Sequence, residues 1–264
     1  AARYALEYGA RGLSRRMRQR GPEVSQARIG RYLDLIRREG VAPPSPGPRG
    51  TVAIVVPCYG HASYLPTTFE SLTHQTRPPE EVIFVVDDAT DDTEETLRRL
   101  IEQPRVSSRA SFSVLVNERN VGQAASLNRG IAAAKTDLVM VVNDDDYLMH
   151  DAVESMLTLF WAHPEVALIG GASIHFDSDD ELSAVPKLRA EYAPEEVDAI
   201  EIRVPSDVRR YRRNNDLNMT HSGSCFTKSA WRAAGGYYTD KRARLVPFSD
   251  RDFQLRINAL FPVA

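Results

Sequence analysis

Four short apolar runs, separated by stretches of helical spacing, constrain this chain more than any other feature. They cover residues 51–56, 81–86, 113–116 and 138–142. Each is rich in Val or other β-formers and too short for a helix, so each reads as a buried strand. Helical patterns fill 64–75, 92–102 and the stretch that follows Gly122, with Thr90 or Asp91 placed to cap the second. Strand and helix alternate four times with short connections. That pattern predicts a parallel, right-handed, doubly wound α/β sheet.

The fourth run ends in Asn143-Asp144-Asp145-Asp146, and the second ends in Asp87-Asp88. In an open α/β sheet both strand ends face the edge where ligands bind. Three adjacent acids repel one another, and a hard divalent cation with oxygen ligands relieves that repulsion. The plainer alternative is a solvated acidic turn capping the helix at 151–162. Two acidic strand ends with a glycine turn between them favour a nucleotide site. There Asp87 or Asp88 accepts from a base imide or a ribose hydroxyl, and the cluster at 143–146 holds a metal against phosphates.

Beyond residue 150 the periodicity weakens. Residues 166–176 read as a long strand broken at Gly170-Gly171. Cys225-Phe226 reads as a strand, 229–234 as a short helix stopped by Gly235-Gly236, and 250–260 as a helix. Trp161 and Trp231 read as core. Cys58 and Cys225 sit beside apolar or aromatic residues and read as core thiols of a reducing compartment.

The 264 residues, 42% hydrophobic, suffice for one full core and contain no apolar run of membrane-span length. The N-terminus lacks the apolar region of a secretory signal, so a cytoplasmic location is expected. A start without Met and a stop just after a helical pattern fit a fragment. Residues 1–50 carry 11 Arg and four acids, whereas the rest carries an acidic excess. Residues 1–40 read as a basic helical extension, 41–50 as a Pro-rich linker and 51–264 as the main domain. That domain divides into 51–150 and an acceptor-side half, 151–264. The basic arm is a candidate for peripheral contact with the inner membrane face or a partner; a solvated helix pair is the alternative.

The quoted motifs resemble those of family 2 glycosyltransferases of the GT-A fold. Val55-Val56-Pro57-Cys58-Tyr59 is similar to the family's opening strand, which continues Pro-x-Tyr-Asn; here Gly60-His61 replaces that Asn. Val85-Val86-Asp87-Asp88-Ala89-Thr90-Asp91 is similar to Val-Asp-Asp-Gly-Ser-x-Asp. The run from Asn120 through Gly122 and Asn128 to Gly130 resembles the family's Asn-x-Gly helix start. Asn143-Asp144-Asp145-Asp146 stands where the family has Asp-x-Asp-Asp. The segment 226–237 resembles its acceptor-side Gly-Gly-Phe segment. Phe248-Ser249-Asp250-Arg251-Asp252 resembles Glu-Asp-x-Asp, with Ser249 in place of Glu.

The resemblance implies a Rossmann-like, mostly parallel sheet flanked by helices, with a mixed α+β acceptor half. It implies an inverting transfer from a nucleoside diphosphate sugar, most simply a UDP-sugar, to a carbohydrate, lipid-linked or small-molecule hydroxyl. No nucleic acid is expected as a partner. Asp250 is then the general base, which can double as a helix N-cap. Pro57, Tyr59, Asp87, Asp88, Asn120, Gly122, Asn128, Asn143 and Asp144 face the nucleotide. Asp145, Asp146 and His221 are the candidate ligands of Mn²⁺ or Mg²⁺. Arg242, Arg244 and Ser249 are candidates on the diphosphate and acceptor side. The Arg residues around Tyr211 either grip an anionic acceptor or form a solvated face. Two alternatives carry weight: a binding or scaffold domain that has lost catalysis, suggested by Asn143 and Ser249, and a nucleotidyltransferase. The latter usually shows a Gly-rich, basic signature near the first strand, which this chain lacks.

Overall fold

A computed structural model describes residues 50–103, 110–171, 173, 200–205, 217, 219–239 and 249–264. The N-terminal extension, all of the linker but Gly50, the Arg-rich segment around Tyr211, and Arg242 and Arg244 lie outside the described residues.

The alternation read from the sequence is present. In chain order the elements are β1 (Val52–Cys58), α1 (Leu65–Thr73), β2 (Glu81–Val86), α2 (Thr93–Ile101), β3 (Ser111–Val116) and α3 (Gln123–Ala133). Then come β4 (Leu138–Val141), α4 (Ala152–Ala162), β5 (Leu168–Ile169), β6 (Cys225–Thr227), α5 (Lys228–Ala233) and α6 (Ser249–Asn258). The sheet order is β3-β2-β1-β4-β6-β5. β1 to β4 are mutually parallel, while β6 runs antiparallel to both β4 and β5. The fold is a mostly parallel, mixed sheet.

Every residue of β1 is buried, because the strand lies in the middle of the sheet with a helical layer on each face. Ala53, Val55, Val85 and Val141 pack with Leu127 and Ile131 of α3 and with Phe226 and Phe253. Ile54, Val56, Phe84 and Met140 pack on the other face with Leu65 and Phe69 of α1, Leu97 of α2 and Leu157 of α4. Side chains alternate across the pleat, so an unbroken apolar run feeds both layers. Burying each Val, Leu, Ile or Phe contributes about 1.5–3 kcal/mol before entropy is counted.

Three expectations need correction. β1 does not stop before Pro57 but runs through it to Cys58, and Pro57 stays in register with Val85. Val55 O accepts Val142 N–H and Cys58 O accepts Asp87 N–H, so alternate residues face opposite neighbours. Pro57 therefore turns its missing N–H toward β4, whose paired residues end opposite Val55. The long strand expected from residue 166 is only the two-residue β5 among the described residues. Trp161 is 56% exposed on α4, and Trp231 is half-buried rather than core. Both cysteines are buried free thiols, and burial pushes both thiol pKa values up.

Candidate functional site

The C-terminal ends of β1, β2, β3 and β4 deliver Tyr59–His61, Asp87-Asp88, Asn117 and Asn143–Asp146 to one edge of the sheet. The acids there are not equivalent, and their hydrogen bonds separate them.

Asp87 is 3% exposed. Its Oδ1 accepts Asn117 Nδ2 at 2.7 Å and Val121 N–H at 2.9 Å, and its Oδ2 accepts Gly122 N–H at 2.7 Å. Gly122 has φ +88°, a backbone region that favours glycine. The N–H groups of the two residues that lead into α3 are thus met by a carboxylate of the chain itself. Asp88 is exposed and adopts φ +54°, the one positive φ among the described non-glycine residues. Asp tolerates this region better than most residues. Asp88 Oδ2 accepts Asn120 N–H at 3.2 Å.

Asn117 was not singled out in the sequence. Its Nδ2 also donates to Ser126 Oγ at 2.8 Å, and Arg129 donates to its Oδ1. Its signal was its place one residue past β3, where β2 and β4 also turn polar.

Asn128 faces the other way along α3. Its Nδ2 donates to Tyr237 O at 2.7 Å, while its Oδ1 accepts Tyr237 N–H at 2.8 Å and Trp231 Nε1 at 3.1 Å. It clamps α3 to the Gly235-Gly236 turn. Gly236 has φ +72°, and a Cβ there would stand 2.6 Å from Asn128 Oδ1.

Asp144 is 5% exposed and joins the ends of β1 and β4. Its Oδ2 accepts Tyr59 N–H at 2.9 Å, its Oδ1 accepts His61 Nδ1–H at 2.9 Å, and its backbone O accepts Thr68 Oγ1 at 3.0 Å. Asn143 donates from Nδ2 to Asp146 Oδ2 at 2.9 Å and accepts Gln123 Nε2 at 3.0 Å. The side chain of Asp145 remains 44% exposed. Partial burial first, then the charge of Asp146, raises its carboxyl pKa.

The donor set fits a divalent cation. Among the described residues, one group of three His, Cys, Asp or Glu side chains brings ligand atoms within 4.8 Å of one another: His61, Asp144 and Asp145. Burial raises the Asp145 carboxyl most, and the neighbouring charges of Asp146 and Asp144 add to the rise; a cation would offset that charge. His61 was met in the sequence only as a departure from the family pattern.

Asp250 lies in the first turn of α6. Its charge acts on the half-buried His221 and the buried Tyr237. Burial lowers the His221 pKa, so the ring is neutral at pH 7. Its Nε2 pairs with the Tyr237 hydroxyl at 3.0 Å. The charge of Asp146 also acts on His221, and the next residue, Ser222, accepts Asn143 N–H at 3.1 Å through its Oγ. Tyr237 stacks on Phe253 at 4.1 Å, Phe253 meets Phe226 edge-on at 5.0 Å, and Gln254 Nε2 donates to Thr220 O at 3.2 Å. These contacts seat α6 and set the position of Asp250.

Asp252 and Arg256 lie four residues apart on α6 and form an ion pair whose side chains are 6% and 2% exposed. Arg256 donates from Nη2 and Nε to Asp252 Oδ2 at 2.7 and 3.0 Å, and from Nη1 to Ala234 O. Removing one partner of such a pair costs about 3–5 kcal/mol, so it fixes α6 against the end of α5. Ser249, half-buried, starts α6 beside Asp250.

A mostly parallel sheet that gathers acids at the ends of β2 and β4 is a Rossmann-like arrangement, in which ligands bind at the C-terminal strand ends. Residues 53–232 match Glycosyl transferase family 2, and the chain belongs to that family. An uncharacterized glycosyltransferase of Haemophilus influenzae is 34% identical over 118 residues, covering 45% of this chain and 37% of the relative. The chondroitin synthase of Pasteurella multocida is 30% identical over 134 residues, covering 50% of this chain and 13% of the synthase. The chain thus spans well under half the length of these relatives.

Among solved structures, a mannosyltransferase from Pyrobaculum calidifontis in complex with GDP-Man and Mn²⁺ aligns with a TM-score of 0.53 at 19% identity. That alignment covers 83% of this chain and 55% of the other. TarS of S. aureus aligns with a TM-score of 0.57 at 17% identity, covering 81% and 35%. These likenesses establish the GT-A fold.

Proposed function

We propose that this chain carries the donor site and general base of an inverting, metal-assisted glycosyltransferase that uses a nucleoside diphosphate sugar. UDP-sugar is the first choice of donor. TarS has been crystallised with UDP and with UDP-GlcNAc, and the Pyrobaculum enzyme with GDP-Man and Mn²⁺, so relatives in fold bind donors of this class. The observation that carries the reading is the packing that links the β4 end to α6: Asn143 N–H donates to Ser222 Oγ at 3.1 Å, the adjacent His221 pairs with the Tyr237 hydroxyl at 3.0 Å, and Tyr237 stacks on Phe253 of α6 at 4.1 Å. On this reading the donor acids and the candidate base border one cleft.

Within it, Asp88 is the acid with capacity left for the nucleoside, beside Tyr59 and Asn120. Asp87, Gly122 and Asn128 shape the rim, because their polar atoms are already spent on the chain. Asp145 and Asp144 hold the cation, with Asp146 and His221 behind them. A divalent cation bound there supplies charge neutralisation for the leaving diphosphate. Asp250 takes the proton of the acceptor hydroxyl as its oxygen bonds to the anomeric carbon and the bond to the diphosphate oxygen breaks, inverting that carbon. Arg242 and Arg244 are proposed to meet the diphosphate, and Ser249 the acceptor. No helix among the described residues is long and apolar enough to cross a membrane. Membrane contact through the basic arm remains part of the proposal.

A positioned base contributes roughly 10²–10⁴ in rate. Turnover of a UDP-sugar with Mn²⁺ should therefore fall at least about a hundredfold in Asp250→Asn. A variant that keeps more than about a tenth of wild-type turnover is incompatible with Asp250 as the base. The scaffold reading draws on Asn143, whose amide is spent on Gln123 and Asp146. Under that reading wild-type protein binds UDP yet turns over no donor.

A further inference from the structure

Building on the metal-assisted reading, we infer that His61 is a direct ligand of the cation and selects a transition metal of the Mn²⁺ type over Mg²⁺. The inference starts from a deficit. The expected carboxylate at position 143 is an amide whose oxygen accepts Gln123 Nε2 at 3.0 Å and whose nitrogen donates to Asp146 at 2.9 Å. It offers the ion no charge, and it ties up one oxygen of Asp146. Asp145 is the most exposed acid of the cluster, and one monodentate carboxylate is a poor site for a divalent cation.

The missing ligand comes from the loop after β1. His61 Nδ1 stands 2.9 Å from Asp144 Oδ1 and 4.0 Å from Asp145 Oδ2. Two ligands about 2.1 Å from a shared octahedral ion lie about 3.0 Å apart when adjacent and about 4.2 Å apart when opposite. Both separations therefore suit one coordination sphere, with the ion replacing the proton shared between Nδ1 and Asp144. The loop is held in place for this. Tyr59 N–H bonds Asp144 Oδ2 at 2.9 Å, Thr68 Oγ1 bonds Asp144 O at 3.0 Å, and the imidazole meets the Tyr64 ring edge-on at 6.0 Å. A nitrogen ligand changes the preference of the site. Mg²⁺ takes oxygen almost exclusively, whereas every first-row transition metal accepts an imidazole more readily than Mg²⁺ does, Mn²⁺ least strongly of that series.

The test is Mn²⁺ titration of the full chain, with and without UDP, read by electron paramagnetic resonance with electron spin-echo envelope modulation. Wild type should bind Mn²⁺ and show ¹⁴N modulation from a coordinated imidazole. His61→Asn should lose that modulation and bind Mn²⁺ roughly tenfold or more weakly, while Mg²⁺ affinity changes little. Wild-type Mn²⁺ bound without ¹⁴N modulation overturns the role of His61 and leaves the metal site standing. Modulation that survives in His61→Asn assigns the nitrogen elsewhere and also overturns it. Mn²⁺ that binds no more weakly to Asp145→Asn than to wild type overturns the underlying metal reading instead. The wild-type spectrum needs no variant, so a misfolded His61→Asn does not spare the inference.

Discussion

Asp87 and Asp88 are neighbours in the sequence, yet their substitution by Asn should have opposite consequences. In Asp87→Asn one oxygen becomes an NH₂ group. The orientation that costs least keeps the oxygen facing Asn117 and Val121 and turns the new amide toward Gly122 N–H. One charge-assisted bond is lost and two donors are left facing each other in a site 3% exposed. A hydrogen bond to a charged group contributes about 1.5–3 kcal/mol, and a stranded buried donor costs about 1–3 more, with partial overlap. We expect a loss of about 3 kcal/mol, or roughly 6–12 °C in Tm for a chain of this size. Asp88 is exposed, and an amide oxygen can keep the bond from Asn120, so Asp88→Asn should change stability by less than about 0.5 kcal/mol. It should instead weaken UDP roughly tenfold to a hundredfold, the value of one bond to a charged acceptor. Thermal unfolding and calorimetric UDP titration of both variants give the answer. An Asp87→Asn protein with Tm within about 2 °C of wild type and no UDP binding would refute the reasoning, since Asp87 would then act on the nucleotide itself.

Two further outcomes follow from packing and charge. A Cβ at Gly130 would lie 2.5 Å from Val55 Cγ1 and 3.0 Å from Val85 Cγ2. Gly130→Ala gains up to about 1 kcal/mol of helix propensity but forces α3 against stiff β-branched neighbours at about 1–3 kcal/mol. Net destabilisation is expected in urea unfolding, with a favourable coupling of about 1 kcal/mol to Val55→Ala; additive effects would argue against the close approach. The folded chain holds the Asp145 proton more tightly than the unfolded chain, so this contribution to stability is lost as pH rises through the raised folded pKa. Asp145→Asn should therefore raise Tm at pH 7 without metal and not near pH 3, and a lower Tm at pH 7 would contradict the sign.

The strands and helices were legible because buried strands are short and β-branched, while the helices repeat at a different period. The acids at the ends of β2 and β4 were legible for the same reason: a buried run cannot carry them until it leaves the sheet. Which lone pairs were already taken was not legible. The sequence writes Asp87 and Asp88 as equals, and only the positive φ at Asp88 and the returning Gly122 turn set them apart. His61 was missed because it meets Asp144 across 83 residues, a contact made only when β1 and β4 pair. Pro57 misled because proline interrupts a strand only on the side where its N–H is needed. The burial of the Asp252–Arg256 pair was not legible because an i, i+4 ion pair looks the same on a solvated face as in a core.

The central claim is that the acids at the ends of β2 and β4 form a metal-dependent donor site, and one calorimetric measurement tests it most directly. UDP is titrated into wild-type protein and into Asp145→Asn, each with and without Mn²⁺. UDP should bind at least about tenfold tighter with Mn²⁺ in wild type, with no such gain in Asp145→Asn. Equal UDP affinity with and without Mn²⁺ in wild type, or the same gain in the variant, would contradict it.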